Sequence, residues 1–145
     1  MGSFREKEAD LASSKTVLLV DDERNALVAL AKLLREDGYH VVVASTEEQA
    51  LDRLNRGKFD FIITDLFLLN TCCINLLNKI KQLETHTPVI LTTAHGDVGR
   101  YIDEASLDGM LLLAKPIKYD ELRRVIGIVE GQISETEKAE NGVGN

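Results

Sequence analysis

Asp21, Asp22, Asp65, Thr93 and Lys115 are the residues of this sequence best placed for chemistry, because each closes a short apolar run. TVLLV leads into Asp21-Asp22, FDFIITD ends in Asp65, PVILTT ends in Thr93, and the run from Met110 to Ala114 is followed by Lys115-Pro116. Carboxylates drawn together repel one another and stay ionised only beside a compensating cation; otherwise one takes up a proton. Lys115 offers one positive charge. A hard divalent ion would balance the remainder, and Mg²⁺ is held by one or two carboxylates, water and phosphate oxygens. Such an ion also neutralises charge on a transferring phosphoryl group. An aspartate carboxylate can attack that group to form an acyl phosphate. A lysine ammonium and a threonine hydroxyl are suitable partners for the new phosphate.

The elements that must position these residues are legible as alternating strands and helices. Thr16 to Val20 reads as a first buried strand. A helix follows to about Asp37, with Leu27, Leu30, Leu33 and Leu34 at helical spacing and Gly38 as its stop. His40 to Ala44 is a second strand. Ser45-Thr46-Glu47-Glu48 matches the capping box S-x-x-E and opens a helix through Arg56. The stretch Phe59 to Asp65 is the third strand and the one around which the others are arranged. A helix through Leu76, Leu77, Ile80 and Leu83 comes next, and the stretch Leu66 to Asn75 before it shows no clear period. Pro88 to Thr93 is the fourth strand, Asp97 to Leu107 a weaker helix, Met110 to Ala114 the fifth strand, and Tyr119 to Ile133 the last helix.

This alternation predicts an α/β fold: a doubly wound, five-stranded parallel sheet with five helices. A common order for such a sheet is 2-1-3-4-5, which makes the first and third strands neighbours at the switch point. Asp21, Asp22 and Asp65 then border one crevice, with Thr93 and Lys115 on the same edge. Residues 1–15 read as a flexible arm, 16–133 as the domain, and 134–145 as a disordered polar tail.

Composition narrows the function classes. The chain has 145 residues, with 24 acidic against 17 basic side chains and a net charge of −7, which disfavours nucleic acid or an anionic membrane as a partner. No apolar run approaches the length of about 20 residues that spans a bilayer. The N-terminus MGSFREKEAD has no apolar signal core, so a cytoplasmic location is expected. Cys72 and Cys73 are adjacent, which suits small inert residues better than a disulfide. His86 and His95 are not at metal-motif spacing.

Taken in order, Asp21-Asp22, Asp65, Thr93-Ala94 and Lys115-Pro116 resemble the receiver domain of bacterial two-component response regulators, the CheY-like superfamily, over roughly residues 16 to 130. The resemblance implies that Asp65 is the phosphoacceptor and a phosphohistidine of a sensor histidine kinase the donor. It implies Mg²⁺ held by Asp22 directly, by Asp21 through water, by Asp65, and by the backbone carbonyl of Phe67. It implies that Thr93 moves toward the phosphate and Lys115 pairs with it, shifting the face formed by the fourth helix, fifth strand and last helix. That face would meet an unknown downstream protein or output domain, and the family admits a phosphorylation-linked dimer. Such a protein is not an enzyme in the turnover sense; it dephosphorylates itself. Too little chain follows residue 130 for an output domain, so the expectation is a single-domain regulator or the receiver of a longer protein.

The sequence departs from the family pattern in three places. Leu69 stands where the family usually has proline and Cys73 where it has glycine. Leu112, three residues before Lys115, replaces the usual switch aromatic. Lys118 stands where an aspartate usually caps the last helix. These departures favour an alternative, a pseudo-receiver that binds proteins with a weak or lost switch. A haloacid-dehalogenase-type phosphatase needs a second acid two residues after Asp65, where Phe67 stands. A flavodoxin needs a hydroxyl-rich loop after the first strand, where the sequence reads DDERN. No nucleotide-binding glycine motif follows a strand.

Overall fold

The structure, a computed structural model, describes residues 15–69, 71–83, 86–94 and 110–140. Five parallel strands form one sheet: β1 (Thr16–Val20), β2 (His40–Ala44), β3 (Phe61–Asp65), β4 (Val89–Thr93) and β5 (Met110–Ala114). Their spatial order is β2-β1-β3-β4-β5, the expected 2-1-3-4-5 arrangement. Four helices are described: α1 (Arg24–Glu36), α2 (Glu47–Arg56), α3 (Ile74–Lys81) and α4 (Tyr119–Glu140). The helix expected over Asp97 to Leu107 lies outside the described residues, as does His95.

The period-2 alternation of the strands divides the core into two layers. Leu18, Val20, Ile62 and Leu91 pack with Ala50 and Leu54 of α2 and with Leu76, Leu77 and Ile80 of α3. Val17, Leu19, Phe61, Ile63, Ile90 and Leu113 face the other way, onto Leu27, Ala31 and Leu34 of α1 and Leu122, Ile126 and Val129 of α4. Both faces are covered, so the central strands are apolar up to their carboxyl ends, where Thr64, Asp65, Thr92 and Thr93 are buried. On α1 the buried stripe is Leu27, Ala31 and Leu34, whereas Leu33, read from sequence as inward, is 38% exposed. With Ala31 on the buried side, Leu33, two residues on, falls on the opposite side of the helix.

Helix ends show how local sequence is satisfied. Gly38 adopts φ 98° after α1, and the Tyr39 N–H reaches back to the Leu34 carbonyl at 3.1 Å. The cap of α2 lies one residue later than the S-x-x-E reading: Thr46 Oγ1 accepts from Gln49 N–H at 3.0 Å, and Gln49 Oε1 accepts from Ser45 N–H at 2.9 Å. Gln49 thus makes the back-bond that the S-x-x-E reading gives to Glu48. The residue before α3 is Cys73, which supplies no side-chain cap. Glu47 Oε2 instead accepts from Leu76 N–H at 3.3 Å, so one helix caps its neighbour.

The last helix runs to Glu140, past Ile133, where the sequence reading ended it and began a disordered tail. That segment, SETEKAE, has no apolar stripe, but its Glu, Lys and Ala are strong helix formers and carry the helix on by propensity. Near its start, Tyr119 Oη donates to Asp37 Oδ2 at 2.6 Å and Arg123 pairs with the same carboxylate at 3.2 Å. Further along, Tyr39 Oη donates to Glu130. These bonds tie α4 to the carboxyl end of α1. Among the described residues, no helix is long and apolar enough to cross a membrane.

The Glu47 contact yields a stability test. Glu47→Ala should cost about 1 kcal/mol in urea denaturation, because it strips the one side-chain cap seen at α3. Glu47→Gln keeps an acceptor and should recover most of that. Equal stability of the two variants would show that the cap contributes nothing.

Candidate phosphoacceptor site

The sheet places its reactive residues by extending its ladder slightly beyond the strands. Asp21 N–H donates to the Ala44 carbonyl at 3.1 Å, Leu66 N–H to Thr92 at 2.9 Å, and Lys115 N–H to Thr93 at 2.8 Å. The main chain at Asp21, Asp65, Thr93 and Lys115 is therefore held by the sheet rather than by a free loop. Asp21, Asp22 and Asp65 are brought together, each offering a carboxylate oxygen, with these oxygens all within 4.8 Å of one another. Asp21 and Asp65 are buried, whereas Asp22 lies nearer the surface.

Lys115 reaches into this group. Its Nζ lies 2.7 Å from Asp65 Oδ2 and 3.3 Å from Asp21 Oδ2. The other carboxylate oxygens take main-chain donors: Glu23 N–H on Asp21 Oδ1 at 2.9 Å, Phe67 N–H on Asp65 Oδ1 at 3.3 Å, and Leu69 N–H on Asp22 Oδ2 at 2.9 Å. Burial holds the Asp65 carboxyl above the usual carboxylate range; Lys115 and the Phe67 N–H oppose the rise without cancelling it, and Asp21 adds to it. For Lys115, burial acts to lower the pKa, but Asp65 and Asp21 outweigh it and the net shift is upward, so the ammonium stays charged.

Thr93 ends β4 and is buried, with its hydroxyl donating to the Ala94 carbonyl at 3.3 Å. Leu112 lies in β5, opposite Leu91, and is 41% exposed. After Asp65 the chain forms a feature that sequence reasoning missed, a two-by-two antiparallel ribbon pairing Phe67 with Cys72 and Leu68 with Thr71. Phe67 and Leu68 pack against the α2–α3 core layer. Cys73 is buried, its Sγ donating to the Asp65 carbonyl at 3.2 Å, beside the Thr64 hydroxyl at 3.1 Å. Burial pushes the Cys73 thiol up to about 12, so it stays protonated and unreactive. Neither cysteine is in a disulfide. The signal for this arrangement was the non-glycine at position 73 and the non-proline at 69.

The donor set is all oxygen and carries three negative charges against one ammonium. That chemistry fits a hard divalent ion such as Mg²⁺. Asp21, Asp22 and Asp65 would hold such an ion, which would supply the positive charge that Lys115 alone does not.

A family model described as "Response regulator receiver domain" matches residues 17–127. The chain belongs to the response regulator receiver family. This receiver is 34% identical over 110 residues to the transcriptional regulatory protein GlrR of Escherichia coli, a match covering 76% of this chain and 25% of that protein. It is 26% identical to the sporulation initiation phosphotransferase F of Bacillus subtilis, covering 78% of this chain and 91% of the relative. Among solved structures it superposes on the response regulator TrrA of Thermotoga maritima in complex with Mg(2+)-BeF, with TM-score 0.69 and 27% identity, covering 79% of this chain and 98% of that one. TrrA in complex with the histidine kinase ThkA matches with TM-score 0.66 at the same identity, covering 79% of this receiver and 97% of that chain. The receiver spans 25% to 30% of the length of the transcriptional regulators it matches first.

The upward shift at Asp65 gives a pH test. A carboxyl whose pKa is raised on folding favours the fold when protonated, and that contribution is lost as pH rises through the folded pKa. In chelator-treated buffer, Asp65→Asn should therefore melt a few degrees above the parent at pH 7. The gap should close as pH falls through the acid range and the parent's Asp65 takes its proton. A variant that melts below the parent at pH 7 would mean that Lys115 outweighs burial.

Proposed function

We propose that this receiver accepts a phosphoryl group on Asp65 from a phosphohistidine of a sensor histidine kinase. The observation that carries the reading is the Lys115 ammonium 2.7 Å from Asp65, within a group of three carboxylates at the strand ends. In the transfer, an Asp65 carboxylate oxygen forms the new bond to phosphorus. The phosphorus–nitrogen bond to the donor imidazole breaks, and its electron pair stays on that nitrogen. Asp21, Asp22, Asp65 and the Phe67 carbonyl would hold Mg²⁺, which supplies charge neutralisation on the transferring group.

The remaining roles fall to this chain's own groups. Lys115 is already charged and at hydrogen-bond distance, so it needs no proton transfer to pair with the acyl phosphate. The Thr93 hydroxyl must leave the Ala94 carbonyl to reach a phosphate oxygen, and that exchange of acceptors is the switching step. Leu112 has no polar tip to trade between buried and exposed states, so little of this movement passes into β5. Readout falls to a downstream protein, an output domain or a phosphorylation-linked dimer, in the cytoplasm, and reset to self-dephosphorylation. Leu112 is also what favours a second reading, a pseudo-receiver whose fold binds a partner with the switch lost.

The two readings separate in one experiment. With Mg²⁺ and acetyl phosphate, intact mass should show one added phosphoryl group on the parent and none on Asp65→Asn. No addition to the parent would support the pseudo-receiver; equal addition to the variant would remove Asp65 from its role. Asp22→Ala should raise the Mg²⁺ needed for thermal stabilisation roughly tenfold or more, since even outer-shell partners are worth that much. After phosphorylation, backbone resonance changes should centre on Asp65 and Thr93 and fade along β5. Changes across β5 as large as those at Asp65 would show that another residue has taken over the aromatic's part.

A further inference from the structure

Leu69 combines three features. It adopts φ 52°, a region that non-glycine residues rarely occupy. Its side chain is 68% exposed. Its N–H donates to Asp22 Oδ2 at 2.9 Å. A strained backbone and an exposed apolar side chain both cost free energy, and a charge-assisted bond to a carboxylate is a contact that offsets them.

The three carboxylates differ in how firmly they are held. Asp21 is bound on both oxygens, by Lys115 and by Glu23 N–H. Asp65 is bound on both, by Lys115 and by Phe67 N–H. Both are buried. Asp22 lies nearer the surface, pairs with no ammonium among the described residues, and takes its donor from the ribbon. The oxygens lie within 4.8 Å of one another, whereas an octahedral Mg²⁺ draws its ligands to within about 4 Å. The contraction must fall on the carboxylate that is least anchored, and that is Asp22.

We propose that the Leu69 amide is a latch that competes with the divalent ion for Asp22. With no ion bound, the latch holds Asp22 toward the ribbon. Ion binding draws the carboxylate inward, toward Asp21 and Asp65, and releases the amide. Leu69, with its exposed side chain, then leaves its strained conformation. Metal occupancy is thereby reported at the surface before any phosphoryl transfer. The device exists because position 69 is a leucine: a proline there has no N–H to donate. The inference rests on the reading that these carboxylates bind Mg²⁺.

The test is a MgCl₂ titration of the uniformly ¹⁵N-labelled full chain, following amide hydrogen exchange. The Asp21, Asp22 and Asp65 resonances should shift and saturate together, while exchange at the Leu69 amide accelerates by about tenfold or more. Leu69→Pro, which deletes the donor, should bind Mg²⁺ about fivefold more tightly than Leu69→Ala, which keeps it. Saturation of the three aspartates with Leu69 exchange unchanged would overturn the latch and leave the metal reading intact. So would equal or weaker Mg²⁺ binding by Leu69→Pro. If Mg²⁺ disturbs none of the three aspartates, the metal reading falls and the latch with it.

Discussion

Like charges at close quarters govern this molecule. Asp21 and Asp65 share one ammonium, from Lys115, and among the described residues the third carboxylate of the group has none. In a partly dry environment such a group disperses, neutralises or finds a counter-ion. Dispersal is prevented by the sheet, because the residues sit at the ends of adjacent parallel strands whose ladder bonds continue through them. The apolar layers on either face keep those strands in register. The fold thus holds a charge arrangement that it does not itself satisfy, and this is the condition under which a cation and an anionic phosphoryl group become welcome.

Much of this was readable before any coordinates. The β-branched and leucine-rich runs gave the strands because a strand buried on both faces is mainly apolar, and polar residues gather at its carboxyl end. Asp21, Asp65 and Lys115 stand at those ends, so their position followed from the same pattern. Helix positions were less certain in rotation than in existence. Leu33 faces outward because Ala31 takes the inner place, and a pattern weighted by side-chain size prefers leucine. The last helix extends to Glu140 rather than to about Ile133, because helix propensity in Glu, Lys and Ala needs no apolar stripe.

The loop after Asp65 was the least legible part, for a physical reason. Each strand of its ribbon is two residues long, too short for alternation to register. One of its bonds is to a group distant in sequence, Leu69 to Asp22. Such a contact depends on the fold having already brought the strand ends together. The role of Leu69 therefore belongs to tertiary structure, and the sequence marked Leu69 and Cys73 only as departures from the receiver pattern.

Main-chain amides supply one donor to each carboxylate of the site, from Glu23, Phe67 and Leu69. Such a donor does not depend on side-chain identity, and proline alone among point replacements deletes it. The electrostatic setting of the aspartates is consequently buffered against drift in the loops around them. A lineage can change the side chains after Asp65 widely, altering which partners the surface suits, while the amides facing the acids persist. Lys115 has no such protection, since its charge resides in the side chain itself. Variation that leaves the chemistry intact is thus steered into the loops, away from Lys115 and the three aspartates, whose charges reside in their side chains.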